Sequence, residues 1–163
     1  MIRLTVEETK LLRQAGLTQM SQGADSGSMK MMHLMGKDFQ NLDAIYGAAE
    51  KLTQAGIRPS FNLIFGYPGE GEKERRESVA MMNISRRYPG AEFWTNIFTP
   101  YPGSPIMKRA FELGIEVPKT LEGWAGFFPR YTVLPWLKGR EHERLQNMRE
   151  YMRVAFHRVP IGK

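Results

Sequence analysis

The chain of 163 residues contains no cysteine. This absence excludes disulfide bonds, thiol nucleophiles, cysteine zinc sites and iron–sulfur clusters ligated by this polypeptide. No window approaches about 18 consecutive apolar residues, the length that a membrane-spanning helix needs. Residues 1–16 lack the apolar centre of a signal peptide, because charged side chains interrupt them. We therefore expect a cytoplasmic protein without a membrane span.

A concentrated basic tract is also missing, although the net charge is +6. The excess arises after residue 70 and is spread over segments that the pattern predicts as helices. A nucleic-acid-binding protein usually carries a denser basic stripe with aromatic side chains among it. The distribution therefore favours solvated helix surfaces over a nucleic-acid interface.

The sequence does contain a repeat of helix, Gln-Ala-Gly, strand and glycine at an interval of 40 residues. In the first copy, the capping-box pattern at Thr5 predicts a helix, and 17–22 a strand. In the second copy, apolar spacing predicts a helix over 38–54, and 57–65 a strand. Each strand is expected to stop at the glycine that follows it. Repeated units of this kind build a parallel sheet.

A third, looser unit follows the repeat. Glu72 and Glu74 are expected to begin a helix that ends near Arg87. Residues 93–98 are expected to form the next strand. Ser104 and Pro105 have the pattern of an N-cap followed by proline at the first helical position. The remaining predictions are an end of that helix at Gly114, an irregular aromatic-rich segment over 115–138 and a last helix over 140–158.

Three parallel strands with intervening helices cannot close a barrel, which needs about eight strands, or fewer with an open seam. The fold class is therefore α/β, with about three parallel βα units over 1–115 and a helical extension over 116–163. One interpretation is the later part of a larger α/β domain. The alternative is a small sheet that dimerises through its edge.

Three loops rich in glycine or proline follow the predicted strands, at 23–28, 66–70 and 99–104. In parallel α/β folds, ligands bind at the carboxyl ends of strands, in such loops. Turns between strands and helices also have this composition when they bind nothing. Composition alone therefore leaves the function of the loops open.

The amino-acid sequences of the three loops, and their order along the chain, resemble a known family. They read Gly23-Ala24-Asp25-Ser26-Gly27-Ser28, then Asn62-Leu63-Ile64-Phe65-Gly66-Tyr67-Pro68-Gly69-Glu70, then Phe98-Thr99-Pro100-Tyr101-Pro102-Gly103-Ser104-Pro105. This series resembles the second half of a radical S-adenosylmethionine (SAM) barrel, a partial TIM-like (β/α) barrel. Within that superfamily it is most similar to the cobalamin-dependent branch of oxidative cyclases and methyltransferases.

The resemblance implies a function for the complete enzyme. Full members carry Cys-x-x-x-Cys-x-x-Cys on the first strand loop, where it holds a 4Fe–4S cluster that binds SAM, and a cobalamin domain precedes the barrel. The present sequence contains neither part. It would correspond to the last three strands of the barrel, completed by a missing N-terminal half or a partner chain, and acting on a small-molecule substrate.

The resemblance also implies cofactor-binding residues, but no catalytic or metal-binding residue in this chain. Asp25, where relatives have Glu, would accept hydrogen bonds from the SAM amino group or a ribose hydroxyl. Ser26 and Asn62 are further candidates for SAM contact. Gly66 would let backbone approach the adenosine, and the loop of Tyr101 would close over adenine or substrate.

Two rival functions remain open. One is a stand-alone, non-catalytic α/β module that binds SAM or another nucleotide on the same rim. The other is nucleic-acid modification, since some radical SAM relatives thiolate transfer RNA, although the diffuse charge argues against it.

Other conspicuous residues have simpler interpretations. The three histidines are too scattered for a metal triad, and the methionines of 29–35 are expected to pack a short helix. Glu70, Glu72 and Glu74 are attributed to the helix dipole and solvation. Trp124 and Trp136 either line a substrate mouth or pack the tail against the sheet.

Overall fold

The structure, a computed structural model, describes residues 4–127 and 133–156. Helices and strands alternate along most of this length. They are α1 (Val6–Gln14), β1 (Gln19–Asp25), α2 (Met29–Leu34), α3 (Leu42–Gln54), β2 (Arg58–Phe65), α4 (Glu72–Ser85), β3 (Glu92–Ile97), α5 (Met107–Glu112), α6 (Leu121–Ala125) and α7 (Glu141–Phe156).

The three strands form one parallel sheet in the order β1-β2-β3. Ser60 in the central strand is in register with Ser21 on one side and Glu92 on the other. The sheet confirms the α/β class and the parallel pairing that the repeat predicts.

Helices cover one face of this sheet. The core-facing side chains of β2 and β3 pack in a single cluster with buried residues from α2, α3, α4, α5 and α7. At its centre, Phe61 and Phe93 stack with ring centroids 5.2 Å apart, and Phe156 of α7 meets Phe93 edge-on at 5.2 Å. Leu134 and Leu145 belong to the same cluster, so the C-terminal extension shares the core of the βα units.

The opposite face of the sheet is predominantly polar. At its amino end, the Gln19 amide donates to Glu92 at 2.8 Å, across the intervening strand β2. Arg58 of β2 donates to the Glu92 carboxylate at 3.0 Å and to the side-chain amide oxygen of Gln19 at 3.3 Å. Purely parallel sheets normally have both faces covered. Among the described residues, this sheet has helices on one face only.

Strand β1 corrects one prediction, because it does not stop at Gly23 but continues to Asp25. The register with β2 shifts between Gly23 and Asp25, which indicates a bulge at Ala24. Such a bulge keeps the strand in the sheet while redirecting its last side chain.

Two predicted helix starts are wrong. Helix α3 begins at Leu42 because the Asn41 side chain accepts the Ala44 N–H at 2.8 Å and caps it there. The predicted Ser104 cap is absent, since its hydroxyl donates to the Tyr101 carbonyl at 2.6 Å. Helix α5 starts at Met107, two residues after the predicted first helical residue, Pro105.

The C-terminal third follows the prediction in outline. The segment predicted as irregular contains a short helix, α6, capped by Thr120. Phe128 and Tyr131, and the predicted end of the last helix beyond residue 156, lie outside the described residues. Within the described ranges, no helix is both long and apolar enough to cross a bilayer.

Candidate functional site

A pocket of about 430 Å³ opens at the carboxyl edge of the sheet, on the polar face. Its lining comes from all three strands and from the loop after β3: Asp25, Asn62, Ile64, Asn96, Ile97, Phe98, Thr99, Pro100, Tyr101, Ser104 and Ile106. Three of the five predicted cofactor-binding residues, Asp25, Asn62 and Tyr101, therefore line one pocket.

Asp25 has an unusual backbone. Its φ of 58° makes it the one non-glycine residue with positive φ among the described ranges. This left-handed conformation costs an L-residue roughly 1–2 kcal/mol, although Asp and Asn tolerate it better than most. Strain of this kind clusters at binding sites. The bulge and this dihedral together set the direction of the carboxylate at the pocket wall.

The Asp25 carboxylate forms an ion pair with the Lys37 ammonium. Both side chains are largely shielded, with 13% of the Asp25 side chain and 28% of the Lys37 side chain exposed. Lys37 also lies 3.5 Å from the Gly23 carbonyl, which accepts a hydrogen bond from the Gln40 amide at 3.2 Å. The segment between α2 and α3 thus supplies a cation beside the acidic wall.

Amide and hydroxyl groups complete the polar part of the lining. Asn62 and Asn96 belong to the polar face, on neighbouring strands in the register Asn62–Trp94 and Ile64–Asn96. Thr99 is buried, and its hydroxyl has no hydrogen-bond partner among the described residues. A buried polar atom without a partner costs free energy unless a ligand or water satisfies it.

Tyr101 forms the outer wall of the pocket and is 61% exposed. Its backbone is fixed by a tight turn, in which the Tyr101 carbonyl accepts the Ser104 N–H at 3.1 Å. An exposed ring on an anchored turn offers a planar surface on which a flat ligand can stack.

Ser26 lies away from this pocket and is buried in a different set of contacts. Its hydroxyl lies 3.1 Å from the Ser78 hydroxyl of α4 and accepts the Ser28 N–H at 3.0 Å. Ser78 also accepts the Gly27 N–H at 2.9 Å. These bonds hold the turn after β1 against α4, so the structure gives Ser26 a packing role.

Gly66 also faces away from the pocket lining. Its φ is +78°, and a Cβ placed there would meet Leu145 Cδ1 at 3.2 Å and Leu134 Cδ1 at 3.5 Å. Its carbonyl accepts the Trp136 indole N–H at 2.8 Å. The C-terminal segment, rather than open space, therefore occupies the side of the loop where a ligand could approach Gly66.

Glu70 is not the solvated residue that its spacing suggests. Its side chain is fully buried, and one carboxylate oxygen accepts the Gly66 N–H at 2.6 Å and the Arg75 Nε–H at 3.1 Å. Arg75 reaches Glu141 of α7 at 2.6 Å. Burial raises the pKa of Glu70, while the bonds from Gly66 and Arg75 oppose that rise. The cluster joins the loop after β2 to α4 and α7.

Glu74 caps the first turn of α4 in agreement with the dipole interpretation. Its carboxylate accepts the Gly71 N–H at 2.9 Å and a hydrogen bond from the Lys30 ammonium at 2.9 Å. The Lys30 bond, followed by backbone N–H bonds, lowers the pKa of Glu74 from 4.5 to about 2. Glu74 therefore ties α2 to α4 beneath the rim.

The remaining predictions concern packing and metals. Met31 and Met32 are fully buried, which confirms the predicted packing for these two residues, whereas Met29 is 50% exposed. His33 is exposed and lies 2.6 Å from Asp38. No group of three or more His, Asp or Glu side chains arranged to hold a metal occurs within the described ranges.

Two residues of the site carry no signal in the sequence. Lys37 lies in a polar stretch with nothing to mark it, and its pairing with Asp25 depends on the return of the chain after α2. Thr99 is marked only as part of a loop, since burial of its hydroxyl depends on how that loop packs. Neither feature is encoded in local spacing.

The chemistry of this pocket suits a ligand with both polar and planar parts. Asp25 can accept hydrogen bonds from an ammonium group or a pair of hydroxyls, and Lys37, which pairs with Asp25 from outside the pocket lining, places a cation next to it. Two amides and one unpartnered hydroxyl offer further donors and acceptors. Neither the protein-family models nor the curated proteins compared with this sequence match it. The assignment of a function therefore rests on the chain's own residues.

Proposed function

We propose that this chain is the C-terminal part of a radical SAM-type barrel and that its rim pocket contributes to binding SAM and a small-molecule substrate. The observation that carries the proposal is the convergence of Asp25, Asn62 and Tyr101 on one pocket at the carboxyl edge of the sheet. These three residues belong to three separate motifs that the resemblance selects.

The architecture supports the same proposal. Helices pack on one face of the parallel sheet, and the polar face with the Gln19–Arg58–Glu92 network remains uncovered by helices among the described residues. In a barrel this arrangement recurs around the ring, and the uncovered faces together form the interior. The three-stranded sheet with one covered face is therefore consistent with a sector of such a ring.

Each of the lining residues, and Lys37 beside the pocket, has a role that its chemistry allows. Asp25 would accept hydrogen bonds from the SAM ammonium or ribose hydroxyls, with Lys37 shifting from Asp25 to the SAM carboxylate. Asn62 and Thr99 would bind the ribose, and the Tyr101 ring would stack on the adenine. Ser26 and Gly66 would act indirectly, by holding the loops that bear these side chains.

The iron–sulfur cluster does not fit the residues of this chain. No cysteine is present, so its ligands would come from another polypeptide or another part of a longer one. Nothing among the pocket residues is specific for cobalamin. The proposal therefore assigns this chain a share of the SAM and substrate site and no share of the cluster.

Isothermal titration of the purified chain with SAM tests the proposal. We expect saturable binding that Asp25→Asn weakens about ten-fold, as the loss of one charge-assisted hydrogen bond implies. The matched control is Asp38→Asn, since Asp38 is exposed and lies outside the pocket. Absence of SAM binding, or an equal effect of both variants, would contradict the proposed site.

The stand-alone nucleotide-binding module predicts a different ligand preference. A module that recognises the nucleoside alone should bind adenosine about as tightly as SAM, and Lys37→Met should leave both affinities unchanged. The proposed SAM site instead requires that Lys37→Met weaken SAM binding selectively. A reading frame upstream of Met1 that encodes Cys-x-x-x-Cys-x-x-Cys would add independent support for the barrel.

A further inference from the structure

Residues 134–145 of the C-terminal extension pack against the loop after β2. Leu134 and Leu145 are buried, and a Cβ at Gly66 would meet their methyl groups at 3.5 and 3.2 Å. The Trp136 indole N–H donates to the Gly66 carbonyl at 2.8 Å. The start of α7 and the residues before it therefore contact the loop that follows the central strand.

A second connection between α7 and this loop is electrostatic. The Glu141 carboxylate lies 2.6 Å from the Arg75 guanidinium, and Arg75 donates through Nε to Glu70 at 3.1 Å. The same oxygen of Glu70 accepts the Gly66 N–H at 2.6 Å. The C-terminal extension therefore holds the Gly66 carbonyl directly and its N–H through two intervening side chains.

The ion pairs of this connection are shielded from water. The Glu70 side chain is fully buried and that of Arg75 is 14% exposed, so desolvation offsets much of their attraction. The other carboxylate oxygen of Glu70 has no hydrogen-bond partner among the described residues, which costs further free energy. We expect such a network to fix the conformation of the loop rather than to add much to the free energy of folding.

The same segment also supports a wall of the rim pocket. The Trp136 ring lies 6.0 Å from the ring of Phe98, which meets Tyr67 edge-on at 4.7 Å. Phe98, Ile64 and Ile106 line the pocket and pack with Trp136 in one apolar cluster. Because side chains in such a cluster are closely packed, a displacement of Trp136 changes the shape of the pocket wall.

We propose that Trp136 and Glu141 are positioning residues of the rim pocket, and that residues 134–145 form a latch whose docking and the binding of a ligand in the pocket favour each other. Neither residue lines the pocket, so each acts through the groups that it holds. Coupling of this kind is reciprocal. If the docked latch raises the affinity for a ligand, the bound ligand stabilises the docked latch by the same free energy.

One part of this inference rests on the proposed function, because it takes SAM as the ligand. The other part concerns only how the latch holds Gly66 and Phe98 in the free chain. Ligand affinity and amide hydrogen exchange test the two parts separately. A chain that does not bind SAM would contradict the proposed function, and the exchange measurement would still decide whether the latch exists.

Amide hydrogen exchange of the free chain, followed by NMR, is the first test. Glu141→Gln removes the charge that pairs with Arg75, while the new amide oxygen can still accept the Lys138 N–H that Glu141 accepts at 3.1 Å. We expect the Gly66 N–H to exchange about ten-fold faster, because loss of the ion pair makes local opening easier. The Phe98 N–H should exchange faster as well, because the latch packs against its ring.

Glu143→Gln is the matched control for this measurement. Glu143 lies two residues further along α7 and pairs with Arg140 on the exposed surface of the helix. Its variant should leave both exchange rates as they are in the parent chain. Unchanged exchange at Gly66 in Glu141→Gln would overturn the latch, and so would equal acceleration in the two variants.

The second test separates positioning from general stability. Trp136→Phe and Tyr88→Phe each delete one donor to a backbone carbonyl, that of Gly66 and that of Tyr46. Tyr88 precedes β3 and so lies at the amino end of the sheet, whereas the pocket lies at the carboxyl edge. We expect both variants to lose stability, but only Trp136→Phe to weaken SAM binding, by about five- to ten-fold, because it lowers the population of the binding-competent loop.

Weaker SAM binding in both variants to the same extent would show that affinity follows stability, and would overturn the positioning role. Unchanged affinity in Trp136→Phe would overturn it as well. If Trp136→Phe does not fold, Glu141→Gln carries the same affinity comparison against Glu143→Gln, since the Glu141 side chain is 31% exposed. In the parent chain, bound SAM should slow exchange of the Gly66 N–H, and faster or equal exchange would contradict the reciprocal coupling.

Discussion

The indole N–H of Trp136 donates a hydrogen bond of 2.8 Å to the carbonyl of Gly66, a residue 70 positions earlier in the chain. The same ring lies 6.0 Å from Phe98, centroid to centroid, and joins a small apolar cluster under the rim. The contact ties the segment before α7 to the loop after β2. It supports the packing interpretation of this tryptophan.

Replacing Trp136 by Phe should therefore destabilise the fold. The substitution keeps an aromatic ring but leaves the Gly66 carbonyl without its donor, which costs about 1–3 kcal/mol when a buried polar group loses its partner. Urea unfolding measures the free energy. Trp124→Phe is the control, because the Trp124 ring packs edge-on against Phe127 and does not contact Gly66 in this way. Equal losses in both variants would contradict a special role for the Gly66 bond.

The backbone strain at Asp25 can be measured separately from its charge. Asp25→Ala and Asp25→Gly both remove the carboxylate and its ion pair with Lys37. They differ in the cost of a φ of 58°, which is small for Gly and roughly 1 kcal/mol or more for Ala. We expect Asp25→Ala to be less stable than Asp25→Gly by that amount in urea unfolding. Equal stabilities would mean that the backbone relaxes out of the left-handed region.

Gly27 is required by a close approach between the turn after β1 and α4. A Cβ at this position would lie 2.5 Å from the Glu77 carbonyl oxygen and 2.6 Å from Ser78 Cα. Gly27→Ala should therefore lower the unfolding free energy by about 1–3 kcal/mol, as overpacking does.

The control for Gly27 is Gly47, which lies within α3 at a position where a Cβ would meet no atom within 4 Å. Gly47→Ala should raise the unfolding free energy by about 0.5–1 kcal/mol through helix propensity. Thermal unfolding of the two variants should show a lower midpoint temperature for Gly27→Ala and a higher one for Gly47→Ala than for the parent chain.

The low pKa of Glu74 predicts a pH dependence of stability. Its pKa is about 2 in the folded chain against 4.5 ordinarily, so the unfolded chain binds more protons between these values. The stabilisation by Glu74 is complete above pH 4.5 and is lost as the pH falls toward 2. In the Glu74→Gln variant, the midpoint temperature of unfolding should therefore depend less on pH between 2 and 4.5 than in the parent chain.

Glu72→Gln serves as the control for this titration. Glu72 is exposed and pairs with Arg76 on the helix surface, where ion pairs contribute little. Its variant should keep the acid dependence of the parent chain. The prediction is wrong if both variants lose that dependence equally.

Local sequence patterns predicted the elements whose causes are themselves local. The capping box of Thr5 and Glu8 is present as expected, with bonds of 3.1 and 2.7 Å. Apolar periodicity and acidic first turns located α3 and α4, although α3 begins four residues later than its pattern predicts. The error arose because a side-chain cap at Asn41 decides the start, and several polar residues before it could have done so equally well.

The residues of the candidate site also fall into those that the sequence predicted and those that depend on tertiary packing. The resemblance of the three loops selected Asp25, Asn62 and Tyr101, and they line one pocket because strand ends of a parallel sheet meet at one edge. Ser26 and Gly66, from the same motifs, face other elements, since a bulge and a turn orient neighbouring residues differently. Burial of Glu70 could not be read from its spacing, because Arg75 and Glu141 surround it only after α7 has packed.

The sequence by itself determined the alternation of helices and strands, the parallel class of the sheet and the three loops that meet at its edge. Those features follow from periodicity, caps and turn residues within a few positions of one another. Only the tertiary structure decided that helices cover one face, that Lys37 pairs with Asp25 and that Trp136 binds Gly66. Each of these features depends on residues that are separated along the chain, because they come close to one another only when the chain folds.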